Sequence, residues 1–440
     1  MSSTPTLTFT QTGPSQIPAG TQAYVAFYDP NANGWSTIVG PVTIGGTLTT
    51  WTMPSVPYGI TFQPNTPYAF ALFTASGSVA TPTPAPTATP ATSPTPSPTP
   101  SGAPSATITE FPAVGPSNNL LSIVSTSGAV WFGNIANSGN AEVGQMTTQG
   151  AVSGTDALPN AEGTLTLTVG PQSDVWFSAI EGNLTNDVGF VASGSVTSYH
   201  LASSSCSDAF IATGSDGNLW TCGSTGVNNS STIDKVTPGG GVTSFTAVSG
   251  ASNETVTLYG ITSGPDGALW YVGSAYASGG AETPIVARMT TGGTVTDYST
   301  AATSAGVQNP NSIVAGPDGA LWFTDSNLGV PSNGHDAIGR ITTSGTVTEY
   351  PLSPSSSPYS IIVGPDGALW FTDGSENAIG RITTGGAIDE YGAGITSGSY
   401  PNSVATGPDG ALWFTEANSG KIGRLSLGTS ASAIRRAARR

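Results

Sequence analysis

The residues of this sequence whose type and spacing bear on chemistry are few. Asp325, Asp373 and Glu416 each follow a Trp-Phe-Thr triplet, at corresponding points of a repeated phrase. Oxygen ligands of this kind suit hard cations such as Mg²⁺ or Ca²⁺, and these three are the candidate metal ligands. Asn311, Tyr359 and Asn402 stand directly after prolines in a second repeated phrase, and Tyr259 holds the matching place in an earlier copy. Amides and phenols together suit a small molecule, a glycan or a peptide, so these four are the candidate ligand-binding residues. Proton transfer near neutral pH needs a group with a pKa near 7 in reach of the substrate. The chain has only two histidines. His200 ends a β-rich run and is expected far from any site. His335 falls in a long loop, and it and Tyr359 are the acid/base candidates. Cys206 and Cys222 flank a predicted hairpin; a disulfide between them would favour an oxidising compartment.

These residues must be positioned by a repeat. A Trp preceded by an apolar residue recurs at Trp131, Trp176, Trp220, Trp270, Trp322, Trp370 and Trp413, spaced by 43 to 52 residues. That is the period of a four-stranded propeller blade. The clearest unit runs from Ser312 to Leu352. Four strands are predicted in it, 312–315, 320–325, 337–342 and 346–350, with Gly316-Pro-Asp-Gly319 as the first turn, where Pro fixes φ and Gly supplies φ > 0. Asp216, Asp266, Asp318, Asp366 and Asp409 occupy such turns and are read as stabilising the backbone, not as a calcium motif. Arg288, Arg340, Arg381 and Arg424 recur mid-strand, which predicts a repeated structural contact with an acid of a neighbouring blade. The last blade lacks a fourth strand, and Ala106–Pro112 mimics Gly345–Pro351 closely enough to supply it. The ring is thereby closed without an exposed edge.

The expected fold is all-β: a seven-bladed β-propeller over 105–428, closed by an N-terminal outer strand. A small β-rich, sandwich-like domain over 1–79 precedes it. Between them, 80–104 is a Thr/Pro-rich linker, biased towards polyproline II because alternating Pro cannot donate ladder hydrogen bonds. Residues 429–440 form a basic C-terminal tail. Charged residues make up 8% of the chain, against about 25% in an ordinary soluble domain. A formal net charge of −16 excludes nucleic acid as an expected partner, since few cations are available for phosphates. No apolar stretch approaches the roughly 18–20 residues that span a bilayer, and no signal peptide is visible. The Ser/Thr/Pro richness and scarce Lys nevertheless point to a secreted or cell-surface protein.

Repeats of the form Gly-Pro-Asp-Gly-Ala-Leu-Trp-Phe-Thr-Asp/Glu, followed by Ile-Gly-Arg-Ile-Thr-Thr and Thr-Val-Thr-Glu-Tyr-Pro, resemble those of the virginiamycin B lyase family. The resemblance covers about three quarters of the chain and is strongest from Gly264 onward. It implies a seven-bladed propeller that opens the ring ester of streptogramin B antibiotics by elimination, with a histidine acid/base and a magnesium ion. The family's histidine lies in a Pro-His-Gly/Ala-Ile pattern at the channel mouth. The matching positions here read Pro310-Asn311-Ser312-Ile313, Pro358-Tyr359-Ser360-Ile361 and Pro401-Asn402-Ser403-Val404, and none carries His. Asn309, Ser357 and Tyr400, which precede those prolines, are not acidic. The expectation is a binding or recognition module without the family's chemistry. Its alternatives are a metal-dependent carbon–oxygen lyase with a relocated acid/base, and a structural or adhesive surface protein.

Overall fold

The computed structural model describes residues 103–428 apart from 116–118, 137–138, 182–185, 193, 202–208, 224–229, 250–253, 278–281 and 327–335. It gives backbone only at 159–163, 181, 230 and 249, and in five strands between Leu7 and Thr74. The chain divides into two compact units, Met1–Pro96 and Ser97–Arg440. In the first, Leu7–Thr10 pairs with Thr50–Met53, and Gln22–Asp29 lies between Gly34–Thr43 and Ala69–Thr74, all antiparallel. The linker and the basic tail fall outside the described residues.

The second unit is a seven-bladed propeller. Blade one contains Asn119–Ser125, Val130–Ile135 and Asn140–Met146. Its outer strand runs on without a loop as the innermost strand of blade two, so that Val152–Val169 serves both. Blade two continues through Val175–Glu181, Asn186–Ala192 and Ser195–Leu201. Blade three comprises Ile211–Thr213, Leu219–Cys222, Ser230–Val236 and Val242–Ser249. Blade four comprises Glu254–Ser263, Leu269–Ala277, Glu282–Met289 and Val295–Asp297. Blades five and six begin at Pro310–Ala315 and Pro358–Val363 and end at Val347–Pro351 and Ile388–Tyr391. Blade seven holds Pro401–Thr406, Leu412–Glu416 and Lys421–Leu427, and Ala106–Pro112 pairs with the last of these over its whole length. The closure expected from the repeat is therefore present.

Seven clusters of buried apolar side chains lie one between each consecutive pair of blades. Trp322 and Ile338 of blade five, for instance, pack on Ile361, Leu369 and Phe371 of blade six. Trp413 and Ile422 of blade seven pack on Leu120, Ile123 and Phe132 of blade one, which shuts the ring hydrophobically as well. Each blade alone would leave a face of this kind in water, so the ring stands by mutual burial. Among the described residues one helix, Ser299–Ala305, interrupts the all-β pattern between blades four and five. Asp297 accepts hydrogen bonds from the Ser299 amide at 2.8 Å and its hydroxyl at 2.5 Å, and Ala302 is buried in the layer between those blades.

The recurrent turn chemistry has a defined role inside blades four to seven. In blade five the Asp318 carboxylate accepts from Trp322 Nε1 at 3.0 Å with one oxygen and from Arg340 Nε at 2.7 Å with the other. The Arg340 guanidinium lies 5.7 Å from the Trp322 ring, whose other neighbour, Tyr350, is stacked at 5.4 Å. Asp266, Asp366 and Asp409 hold Trp270, Trp370 and Trp413 and the arginines 288, 381 and 424 in the same way. The arginines thus reach the turn acid of their own blade, not that of a neighbour. Arg340 and Trp322 are cross-strand partners, so the turn above the tryptophan is the nearest carboxylate.

Candidate ligand-binding site in the central channel

A bulge near the start of the innermost strand positions the candidate ligand residues. Pairing slips between Pro310 and Ile313, between Pro358 and Ile361 and between Pro401 and Val404. A bulge re-aims side chains, and both residues inside each one, Asn311-Ser312, Tyr359-Ser360 and Asn402-Ser403, line the channel pocket. The threonine of each Trp-Phe-Thr triplet accommodates the irregular backbone. Thr324 Oγ1 accepts from the Ser312 amide at 3.1 Å and donates to the Tyr359 carbonyl of the next blade at 2.9 Å. Thr372 repeats this between Ser360 and the Asn402 carbonyl, at 3.1 and 2.8 Å. Sequence reasoning missed these bridging threonines; their recurrence directly before the carboxylates was the available signal.

The pocket has a volume of about 430 Å³ and draws residues from all seven blades. Tyr259, Asn311, Tyr359 and Asn402 all lie in its wall, so the structure brings together the four residues that the sequence singled out. Tyr276 joins them and was not foreseen. It stands beyond the usual strand end because the second strand of blade four, Leu269–Ala277, is longer than its counterparts, and its hydroxyl is hydrogen-bonded to that of Tyr259. Burial raises the Tyr276 phenol above its ordinary range. Much of the remaining polarity is already engaged between blades. Asn402 Nδ2 donates to the Leu121 carbonyl at 3.1 Å, Thr166 Oγ1 donates to the Ala209 carbonyl at 2.8 Å, and Ser403 Oγ accepts from the Ile123 amide at 3.3 Å. The Asn311 side chain, by contrast, forms no hydrogen bond with the described residues. Among the described residues, no carboxylate, imidazole, amine or guanidinium lines the pocket.

The candidate metal ligands are elsewhere. Asp325, Asp373 and Glu416 are each 0% exposed and none is in the pocket wall. Asp325 accepts from the Gln308 amide at 3.0 Å and the Asn309 amide at 2.6 Å, and Asp373 accepts from the Ser357 amide at 2.9 Å. They fasten the segments that lead into the bulged strands. Glu416 accepts from Ser419 Oγ at 2.7 Å. Burial, with Glu110 close by, pushes Glu416 up to about 7. Burial and the neighbouring Asp325 push Glu349 up to about 8, and burial also raises Asp373. Among the described residues no group of three or more His, Cys, Asp or Glu side chains is placed to hold a metal. This donor set does not fit the magnesium ion that the family resemblance implies.

His200 lies on the outer strand of blade two, where its Nδ1 is 2.9 Å from Asp187 Oδ1. His335 lies outside the described residues. Cys222 is disulfide-bonded and ends the second strand of blade three; Cys206 also falls outside the described residues.

Fold and channel define a closed seven-bladed propeller with a pocket to which all seven blades contribute and whose described wall is neutral. The virginiamycin B lyase family model matches residues 97–305 and 253–435, and the chain belongs to that family. A streptogramin B lyase structure is 27% identical with a TM-score of 0.58, covering 73% of this chain and 98% of its own. A catalytically inactive virginiamycin B lyase from Staphylococcus aureus with quinupristin is 26% identical with a TM-score of 0.59, covering 74% of this chain and 100% of its own. The WD40 propeller domain of Doa1, 11% identical with a TM-score of 0.50 over 72% of this chain and 96% of its own, shares the fold alone. No curated protein matches the chain. Among the described residues, no helix is long and apolar enough to cross a membrane.

Proposed function

We propose that this lyase-family propeller is a secreted or surface-displayed recognition module, binding a small molecule, glycan or peptide in its channel without the streptogramin lyase reaction. The observation that carries this reading is the neutral wall. Elimination needs a base to remove a proton and an acid to protonate the leaving oxygen, and the described residues of the pocket offer only phenols, amides and hydroxyls as polar side chains. An extracytoplasmic location is supported by the disulfide-bonded Cys222, for which Cys206 is the proposed partner, and by the Thr/Pro-rich linker. The test is mass spectrometry of a streptogramin B incubated with the full-length protein, with magnesium or with EDTA. An intact cyclic substrate at high protein concentration is the expected result.

A metal-dependent linearised product of unchanged mass would instead establish the second reading, a lyase with a relocated acid/base. That reading is favoured by the 27% identity to a streptogramin B lyase over nearly all of its length. Tyr359 or His335 would then be the acid/base. An adhesive or structural surface role, suggested by the linker, predicts no ligand in the channel at all.

A further inference from the structure

We infer that the ligand is an uncharged saccharide, a mono- or disaccharide unit held by the Asn311 amide and stacked on Tyr359. This rests on the reading of the channel as a binding site and names the class of molecule it takes. Three observations converge. First, a charged group brought into this pocket would lose water and find no opposite charge among the described residues of the wall, which is strongly unfavourable. Carboxylates, phosphates and amines are therefore disfavoured, and with them peptides bearing free termini or ionised side chains.

Second, the Asn311 amide is spare while Asn402, Thr166 and Ser403 are committed to neighbouring blades. An amide presents one acceptor and two donors. That set matches adjacent sugar hydroxyls, each of which donates and accepts. Third, exposed large apolar side chains are scarce. Four are found among the described residues, and two of them, Tyr276 at 37% and Tyr359 at 36%, line this pocket. An exposed ring with an apolar face and a polar tip suits a ligand that is itself apolar on one face and hydroxylated at its edge. The cavity, about 430 Å³, lies within the size range of small-molecule sites.

The experiment is isothermal titration of the full-length protein with matched pairs of disaccharides. Galactobiose is set against digalacturonic acid, and diacetylchitobiose against chitobiose, with an acetylated, amide-capped tetrapeptide as the neutral non-sugar probe. The expected result is that at least one neutral disaccharide binds and its charged counterpart binds at least about tenfold more weakly. Asn311→Ala and Tyr359→Ala should each weaken the neutral sugar by about tenfold, with circular dichroism unchanged. Equal or tighter binding of the charged member would overturn the proposal, as would indifference to Asn311→Ala. Binding of the capped peptide but of no disaccharide would overturn the saccharide assignment and leave the recognition reading standing. Binding of neither neutral probe would overturn both.

Discussion

Blades two and six share a strand plan and differ in the chemistry at its turn. In blade six Asp366 accepts from Trp370 Nε1 at 2.8 Å and from Arg381 Nε at 2.7 Å, and Tyr391 stacks on the ring at 5.4 Å. Blade two has Gln172 where the aspartate would be and Phe190 opposite the tryptophan in place of arginine. Trp176 is equally buried, yet its Nε1 has no hydrogen-bond partner among the described residues. The turn itself is unchanged, but Ser173 carries the positive φ, 64°, that Gly367 carries in blade six at 76°. The apolar layer between blades therefore suffices to build a blade. The Asp–Trp–Arg group fixes the tryptophan in an already formed hairpin.

The largest test of this contrast is removal of the acid. Asp366→Ala leaves the buried Trp370 indole N–H without its acceptor and leaves the Arg381 guanidinium with Asp389 at 3.3 Å, and should cost about 2–3 kcal/mol. Gln172→Ala, which removes no such acceptor, should stay within about 0.5 kcal/mol. Chemical denaturation of both variants checks the pair, and equal losses would show that the turn aspartate is incidental.

A second contrast concerns the strand-end carboxyls, present in blades five to seven and replaced by Ala179 in blade two. Glu416 in the fold holds its proton up to about 7, above its ordinary 4.5. The folded state then binds more protons, so this group's contribution is fully present below about pH 4.5 and is lost as pH rises through about 7. Glu110 faces it and is held by Lys421 Nζ at 2.6 Å and by Thr396, so ionising Glu416 sets two carboxylates against each other at the ring closure. Stability should fall between pH 5 and 8 by on the order of 1–2 kcal/mol from this group, and Glu416→Gln should flatten that slope. Hydrogen exchange of 106–112 against pH reads it locally.

The smallest effect is a gain. Ser173→Gly relieves a left-handed residue and should stabilise the protein by roughly 0.5–1 kcal/mol, whereas Gly367→Ser should lose a similar amount. Thermal unfolding of the two variants measures both.

How far the sequence was legible depended on whether a signal was repeated. Seven tryptophans marked seven blades, and the likeness of Ala106–Pro112 to an outer strand located the closure. The helix Ser299–Ala305 was missed because it occurs once and is built of small residues with weak periodicity. In the channel pocket, Asn311, Tyr359 and Asn402 were legible because the Pro-X-Ser phrase recurs, and Tyr259 because Leu258-Tyr259-Gly260 holds the matching place. Asp325 and Asp373 were placed in the channel by their position at strand ends, but the preceding loop folds over them and takes their oxygens for its own amides. Spacing reveals where a strand ends and carries no sign of the backbone that returns to cover it. Tyr276 depends on the added length of one strand and has no counterpart in the other copies.

The closing strand has a mechanical consequence. Ala106 pairs with Leu427, and the Gly428 amide donates to the Ser105 carbonyl at 2.7 Å, so the chain enters and leaves the ring side by side. Tension between residues 105 and 428 would load the bonds of this antiparallel pair one after another from a single end. It would peel the seam like a zipper and spare the six remaining blades until blade seven has opened. A pull shared between 105 and a point across the ring would load the same bonds together, and the propeller would resist it far better.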